Sequence, residues 1–158
     1  STGTNQLLTA GFNVASRIST LAQNGVTNTS GDTLVVGGIH TNGTATFSNT
    51  VIIGRIVGGA RTFQLTSAAG GTTVFSGAIS DGGISGSASN VVPVVKAGAG
   101  IVSLAASNTY SGTTTVSNGI LAIRNENNLG TNPTTFNAGQ LTLNGGALRS
   151  ETNAVVLD

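Results

Sequence analysis

The stretch Thr113-Thr-Thr-Val116-Ser-Asn-Gly-Ile-Leu-Ala-Ile123 sets a β-branched run, a Ser-Asn-Gly turn and a second apolar run side by side. β-Branched residues suit a pleated, half-buried surface, and Asn and Gly take left-handed backbone angles at low cost, so the stretch reads as two short strands joined at a corner. The pattern recurs as Thr44-Ala-Thr-Phe47-Ser-Asn-Thr-Val-Ile-Ile53, as Thr72-Thr-Val-Phe75-Ser-Gly-Ala-Ile79 and as Thr134-Thr-Phe136-Asn-Ala-Gly-Gln-Leu-Thr-Leu143. Phe47 and Phe75 are 28 residues apart, Phe75 and Val116 41, and Val116 and Phe136 20. Those separations fit coils of about 20 residues with loops inserted and one coil skipped, which would contain Val91 to Leu104. One copy is too small to bury its own apolar face, whereas stacked copies merge their faces into a continuous interior. The expected fold is therefore all-β, a parallel β-helix or β-solenoid of about six to eight coils, with Phe47, Phe75, Val116 and Phe136 stacked on one another.

Alternation within the strands supports this reading. In Ile101-Val-Ser-Leu104, Leu121-Ala-Ile123 and Leu141-Thr-Leu143, apolar side chains recur at or near a period of two, with Ser and Thr on the other face. An antiparallel sandwich or barrel is the competing all-β reading, and the coil-length spacing of similar residues favours the solenoid. The segment from Asn13 to Gly25 has helical spacing of Val14, Ile18 and Leu21, but its Ser and Thr content favours strand.

The whole chain, residues 1–158, reads as one domain, since 15.5 kDa is short for two. Only 7% of residues are charged and the net charge is +1, while 38% are hydrophobic, a combination that argues for order. With no basic cluster and few aromatics, the chain offers neither a phosphate-neutralising patch nor a stacking platform, so nucleic acid is not an expected partner. No apolar run reaches the length of a transmembrane helix. There is no cysteine, which excludes disulfides and thiolate metal sites.

Residues 72–130 resemble the autotransporter-associated β-strand repeat of bacterial surface proteins. The resemblance is carried by Val94-Val-Lys-Ala-Gly-Ala-Gly-Ile-Val-Ser-Leu104 and Asn108-Thr-Tyr-Ser-Gly-Thr-Thr-Thr-Val-Ser-Asn-Gly-Ile-Leu121. Lys96, Gly98, Gly100, Leu104, Asn108, Thr109, Tyr110, Ser111, Gly112, Val116, Gly119 and Leu121 match the family pattern. Thr113 stands where the family has a second Gly, Ile101 where it has Thr, and Pro93 precedes the Lys-x-Gly-x-Gly strand, implying an edge, a corner or a strand start. The resemblance implies a right-handed helix, bacterial export, and a secreted or cell-surface role as stalk, spacer or fibre, with no catalytic residue to carry over.

An enzyme on this fold would act on polysaccharides with clustered carboxylates. Asp32, Asp81, Glu126, Glu151 and Asp158 are scattered, and Asp32 and Asp81 sit beside glycines in segments that read as turns. His40 is the single histidine and has no Cys or His partner for a metal. The glycines lack a dinucleotide-binding context and read as corners. Tyr110 reads as a packing residue near a corner. The Thr44/Thr46 and Thr113/Thr115 pairs are too few for an ice- or crystal-binding array, and Asn28 and Asn42 head sequons that have no meaning in a bacterial protein. No catalytic residue, metal or cofactor is expected, and an unidentified surface or glycan target remains the open partner class. Strand-like residues near both termini lead to an expectation of open solenoid ends and end-to-end association into a fibre, with a stalk or adhesive fragment of a longer passenger as the alternative.

Overall fold

The computed structural model describes residues 4–19, 32–54, 61–82, 91–135, 137–152 and 157. Every strand ladder in it is parallel, which settles the choice against a sandwich. The first sheet stacks β1 (Thr4–Thr9), β3 (Asp32–Gly38), β6 (Arg61–Ser67), β9 (Val94–Ala97), β11 (Thr114–Val116) and β13 (Leu141–Leu143). The second stacks β4 (Thr44–Phe47), β7 (Thr72–Phe75), β10 (Ile101–Leu104), β12 (Ile120–Ile123) and β14 (Ala147–Ser150). The third holds β2 (Ile18–Ser19), β5 (Val51–Gly54) and β8 (Ile79–Gly82). Parallel neighbours need a long return connection, and here the other sides of the same coil supply it. The protein is a parallel β-solenoid.

About four turns carry the buried core, fewer than the six to eight expected. The reason is coil length. Thr33 pairs with Thr62 and Phe63 with Val94, steps of 29 and 31 residues, and Thr114 pairs with Leu141 after 27. A step of 20 occurs from Val94 to Thr114, within the family-like stretch. The turns with buried cores hold Val36, Phe47 and Val51, then Phe63, Phe75 and Ile79, then Val94, Leu104 and Tyr110, then Val116, Ile123 and Leu129. Strands β1, β13 and β14 flank them with more exposed faces.

The expected four-residue stack is also corrected. Phe47 and Phe75 are register partners, their rings stacked at 4.8 Å between centroids and 7° between planes. Val116 instead lies on the first sheet, paired with Lys96 and Leu143, while Leu104 and Ile123 continue the Phe47–Phe75 file. Phe136 lies outside the described residues, as do Asn28 and Asp158. Thr44–Ile53 and Thr72–Ile79 are true copies, since Thr44, Phe47 and Val51 pair with Thr72, Phe75 and Ile79. The Thr113 copy has slipped by one side of the coil, because strand-corner-strand looks the same at every corner.

Between the first and second sheets each coil turns on a glycine with positive φ: Gly11, Gly43, Gly70, Gly98, Gly119 and Gly145. These form one ladder of left-handed corners, which side-chain-bearing residues adopt only at a cost. Near the first coil's turn, Val14 bridges to Phe47 and the Asn13 side chain accepts the Thr46 amide at 2.9 Å, so the described part of 13–25 follows the strand expectation.

Candidate functional site

Strand β9 alternates strictly, with Val94 and Lys96 inward and Val95 and Ala97 outward. Parity therefore sends Lys96 into the core, where it is fully buried between Leu65 and Val116. Its stem packs as an apolar side chain, and its amine reaches the corner. There it donates to the carbonyls of Ala97 (2.8 Å), Gly98 (2.8 Å) and Asn118 (2.9 Å). Burial pulls its pKa down to about 8. Gly98 is the left-handed corner with φ +74° that brings these carbonyls round, and Gly119, at φ +63°, repeats it one coil on. Gly100 and Gly112 meet the preceding coil directly: a Cβ on either would fall 2.0 Å from a backbone oxygen, of Ala68 and Val92 respectively. Pro93 directly precedes β9, and its carbonyl accepts the Phe63 amide at 2.9 Å.

The far corner is held by asparagines. Asn108 is buried, and its Oδ1 accepts the Ile79 amide at 2.7 Å while its Nδ2 donates to the Asn128 carbonyl at 2.5 Å, so one side chain ties three successive coils. Asn128, in the 3-10 turn Glu126–Leu129, accepts the Arg124 and Asn125 amides and donates to the Ala106 carbonyl at 2.8 Å. Tyr110 is fully buried with its hydroxyl 2.8 Å from Thr114 Oγ1. Burial raises its pKa, the Thr114 hydrogen bond opposes that, and the Asp81 charge adds to it. Sequence reasoning missed the Asn128 bracket, since asparagine in a turn reads as an ordinary corner residue.

The carboxylates are not where turns were expected. Asp81 lies within β8, and its Oδ2 accepts the amide (2.7 Å) and hydroxyl of Ser111. Asp32 opens β3. Gly82 ends β8 rather than forming a corner, and Gly83 lies outside the described residues. Glu151 reaches back to Ser103 Oγ (3.0 Å) and to Arg124 (3.3 Å) and Arg149 (3.4 Å). Asp81 and Glu151 are thus held by separate structural partners, and among the described residues no three Asp, Glu, His or Cys side chains are grouped as a metal site would need. His40 Nε2 sits 3.0 Å from the Thr72 carbonyl, tying the β3–β4 corner to β7. Thr44 and Thr46 lie on the second sheet and Thr115 on the first, so the Thr pairs share no face. Among the described residues no helix is long and apolar enough to cross a membrane.

The arrangement can fasten coils together through buried polar side chains, and its fasteners concentrate between Val94 and Ile123. No curated protein and no solved structure matched the chain. The family model described as passenger-associated-transport-repeat matches residues 94–123, the two coils from the start of β9 to the end of β12. Those two coils are similar to a passenger-associated-transport repeat, a match consistent with the autotransporter-associated repeat family.

Proposed function

We propose that the protein is a non-enzymatic structural segment of a bacterial passenger region, exported and held at or beyond the cell surface, where a right-handed solenoid acts as stalk or spacer. One observation carries this reading: the repeat match falls on two coils inside an unbroken parallel ladder, and the buried polar groups there join coil to coil. Binding energy and geometry are invested in the stacking direction, as a rigid spacer requires. The right hand follows the rule for parallel crossovers. A screen of neutral and acidic polysaccharides, with and without calcium, is expected to show no turnover. Turnover lost on Asp81→Asn would overturn the reading.

A fibre-forming role rests on a separate observation. β1 pairs with β3 alone, β13 with β11 alone and β14 with β12 alone, so each sheet has an outer edge with free backbone groups among the described residues. Such edges accept another strand, from a further coil or from a second copy, and a net charge of +1 offers little repulsion. Sedimentation and electron microscopy of the purified chain are expected to show filaments whose axial repeat matches one solenoid length. Monomers at all concentrations would leave the stalk or adhesive segment, with its surface or glycan target, as the reading.

A further inference from the structure

Lys96 is the chain's single lysine. The register partners along its file are Leu7, Val36 and Leu65 on one side and Val116 and Leu143 on the other, so the corresponding position in every other coil is aliphatic. Its three carbonyl acceptors come from two consecutive coils: Ala97 and Gly98 from the β9–β10 corner, Asn118 from the β11–β12 corner. Glycine keeps the space open. A Cβ on Gly119 would stand 2.5 Å from the Gly98 and Gly100 carbonyl oxygens and 2.8 Å from the Lys96 amine. A cation needs either a counter-charge or several oriented dipoles to lie in such a place, and the dipoles here are backbone carbonyls.

We propose that this corner is a binding cage for a primary ammonium, formed by the carbonyls of Ala97, Gly98 and Asn118, with the Lys96 side chain as its tethered occupant. An ammonium carries three donors for three acceptors, a quaternary ammonium has none, and the sodium ion has no donors to direct. The cage clasps one coil to the next, independently of whether the protein serves as a spacer. It also explains a feature of the sequence that strand patterning leaves unexplained: Lys96-Ala-Gly98 and Asn118-Gly119, separated by one coil, are two halves of one device. The family match begins just before the first half and ends just after the second.

Because no other lysine exists, the full chain labelled with 15N-lysine gives one side-chain resonance. The cage predicts a narrow, slowly exchanging Nζ signal with couplings across hydrogen bonds to the three carbonyls. A signal exchanging at the rate of a free lysine overturns it. Lys96→Met keeps an apolar stem and removes the donors, so its thermal midpoint is expected to fall by several degrees, and a midpoint equal to or above that of the wild type overturns the cage. Lys96→Ala leaves room for a free ligand. Its lost stability is expected to return with n-butylammonium and not with tetramethylammonium or sodium at equal ionic strength, and equal responses to all three count against the proposal. If Lys96→Ala stays unfolded throughout, the labelled wild-type chain decides the matter.

Discussion

At the residue scale, Asn108, Tyr110, Asn128 and Lys96 are buried polar side chains that each find hydrogen-bond partners, and of these Lys96 alone can bear a positive charge. Asn108 bridges the Ile79 amide and the Asn128 carbonyl in a buried corner, so Asn108→Ala leaves two buried backbone groups unpaired. A loss of about 2–4 kcal/mol is expected in urea unfolding, since each stranded group costs roughly 1–3 kcal/mol. Tyr110→Phe removes one hydroxyl bond and should cost about 1 kcal/mol. Lys96 makes stability depend on pH. Its pKa is about 8 in the fold against 10.5 in the open chain. Below pH 8 both states hold the proton, and the desolvation penalty is present in full. Between pH 8 and 10.5 the folded state sheds its proton first, the unfolded chain binds more protons, and stability rises with pH. The raised pKa of Tyr110 acts oppositely above pH 10, where the unfolded chain ionises first. Unfolding free energy should therefore climb by roughly 2 kcal/mol from pH 8 to pH 10 and turn downward beyond. A flat profile in Lys96→Met alongside a rise in the wild type assigns the effect, and identical profiles refute it.

At the element scale, short strands of two to seven residues bury alternate side chains, and files of register partners become the units of packing. The stacked rings of Phe47 and Phe75 form one such unit. Each substitution by Ala is expected to cost about 3–5 kcal/mol, and the pair should be coupled in a double-mutant cycle, as residues in contact are. Val116 sits on another sheet and two coils away from Phe75. Two coil spacings amount to roughly 9–10 Å, so Phe75→Ala and Val116→Ala should add to within about 0.5 kcal/mol. Strong coupling between them would restore the one-file stack that the register contradicts. The error in reading the sequence has a simple source. The motif marks a strand, a corner and a strand, but three sheets share that grammar, and spacing alone does not say which corner is meant.

At the scale of the whole molecule, stability in a solenoid is a sum over coils and their contacts, so terminal coils with one neighbour open first. Hydrogen exchange should find the slowest amides in β6, β7, β9 and β10 and the fastest in β1, β13 and β14. Equal protection throughout would contradict a stack of separable coils. What the sequence alone determined was the grammar: β-branched runs of period two, Gly and Asn corners, scarce charge and no cysteine, which are local properties of neighbouring residues and lead to an all-β repeat. It also contained the Lys-x-Gly-x-Gly and Asn-Thr-Tyr-Ser-Gly elements that carry the family resemblance. The number of turns, the strand position of Asp81, the Asn108–Asn128 bracket and the carbonyls around the Lys96 amine were decided only in three dimensions. Each depends on which residues lie one coil apart. That offset runs from 20 residues at Val94–Thr114 to 31 at Phe63–Val94, because lengthening the chain between two strands adds little closure entropy while the ladder it spans stays the same.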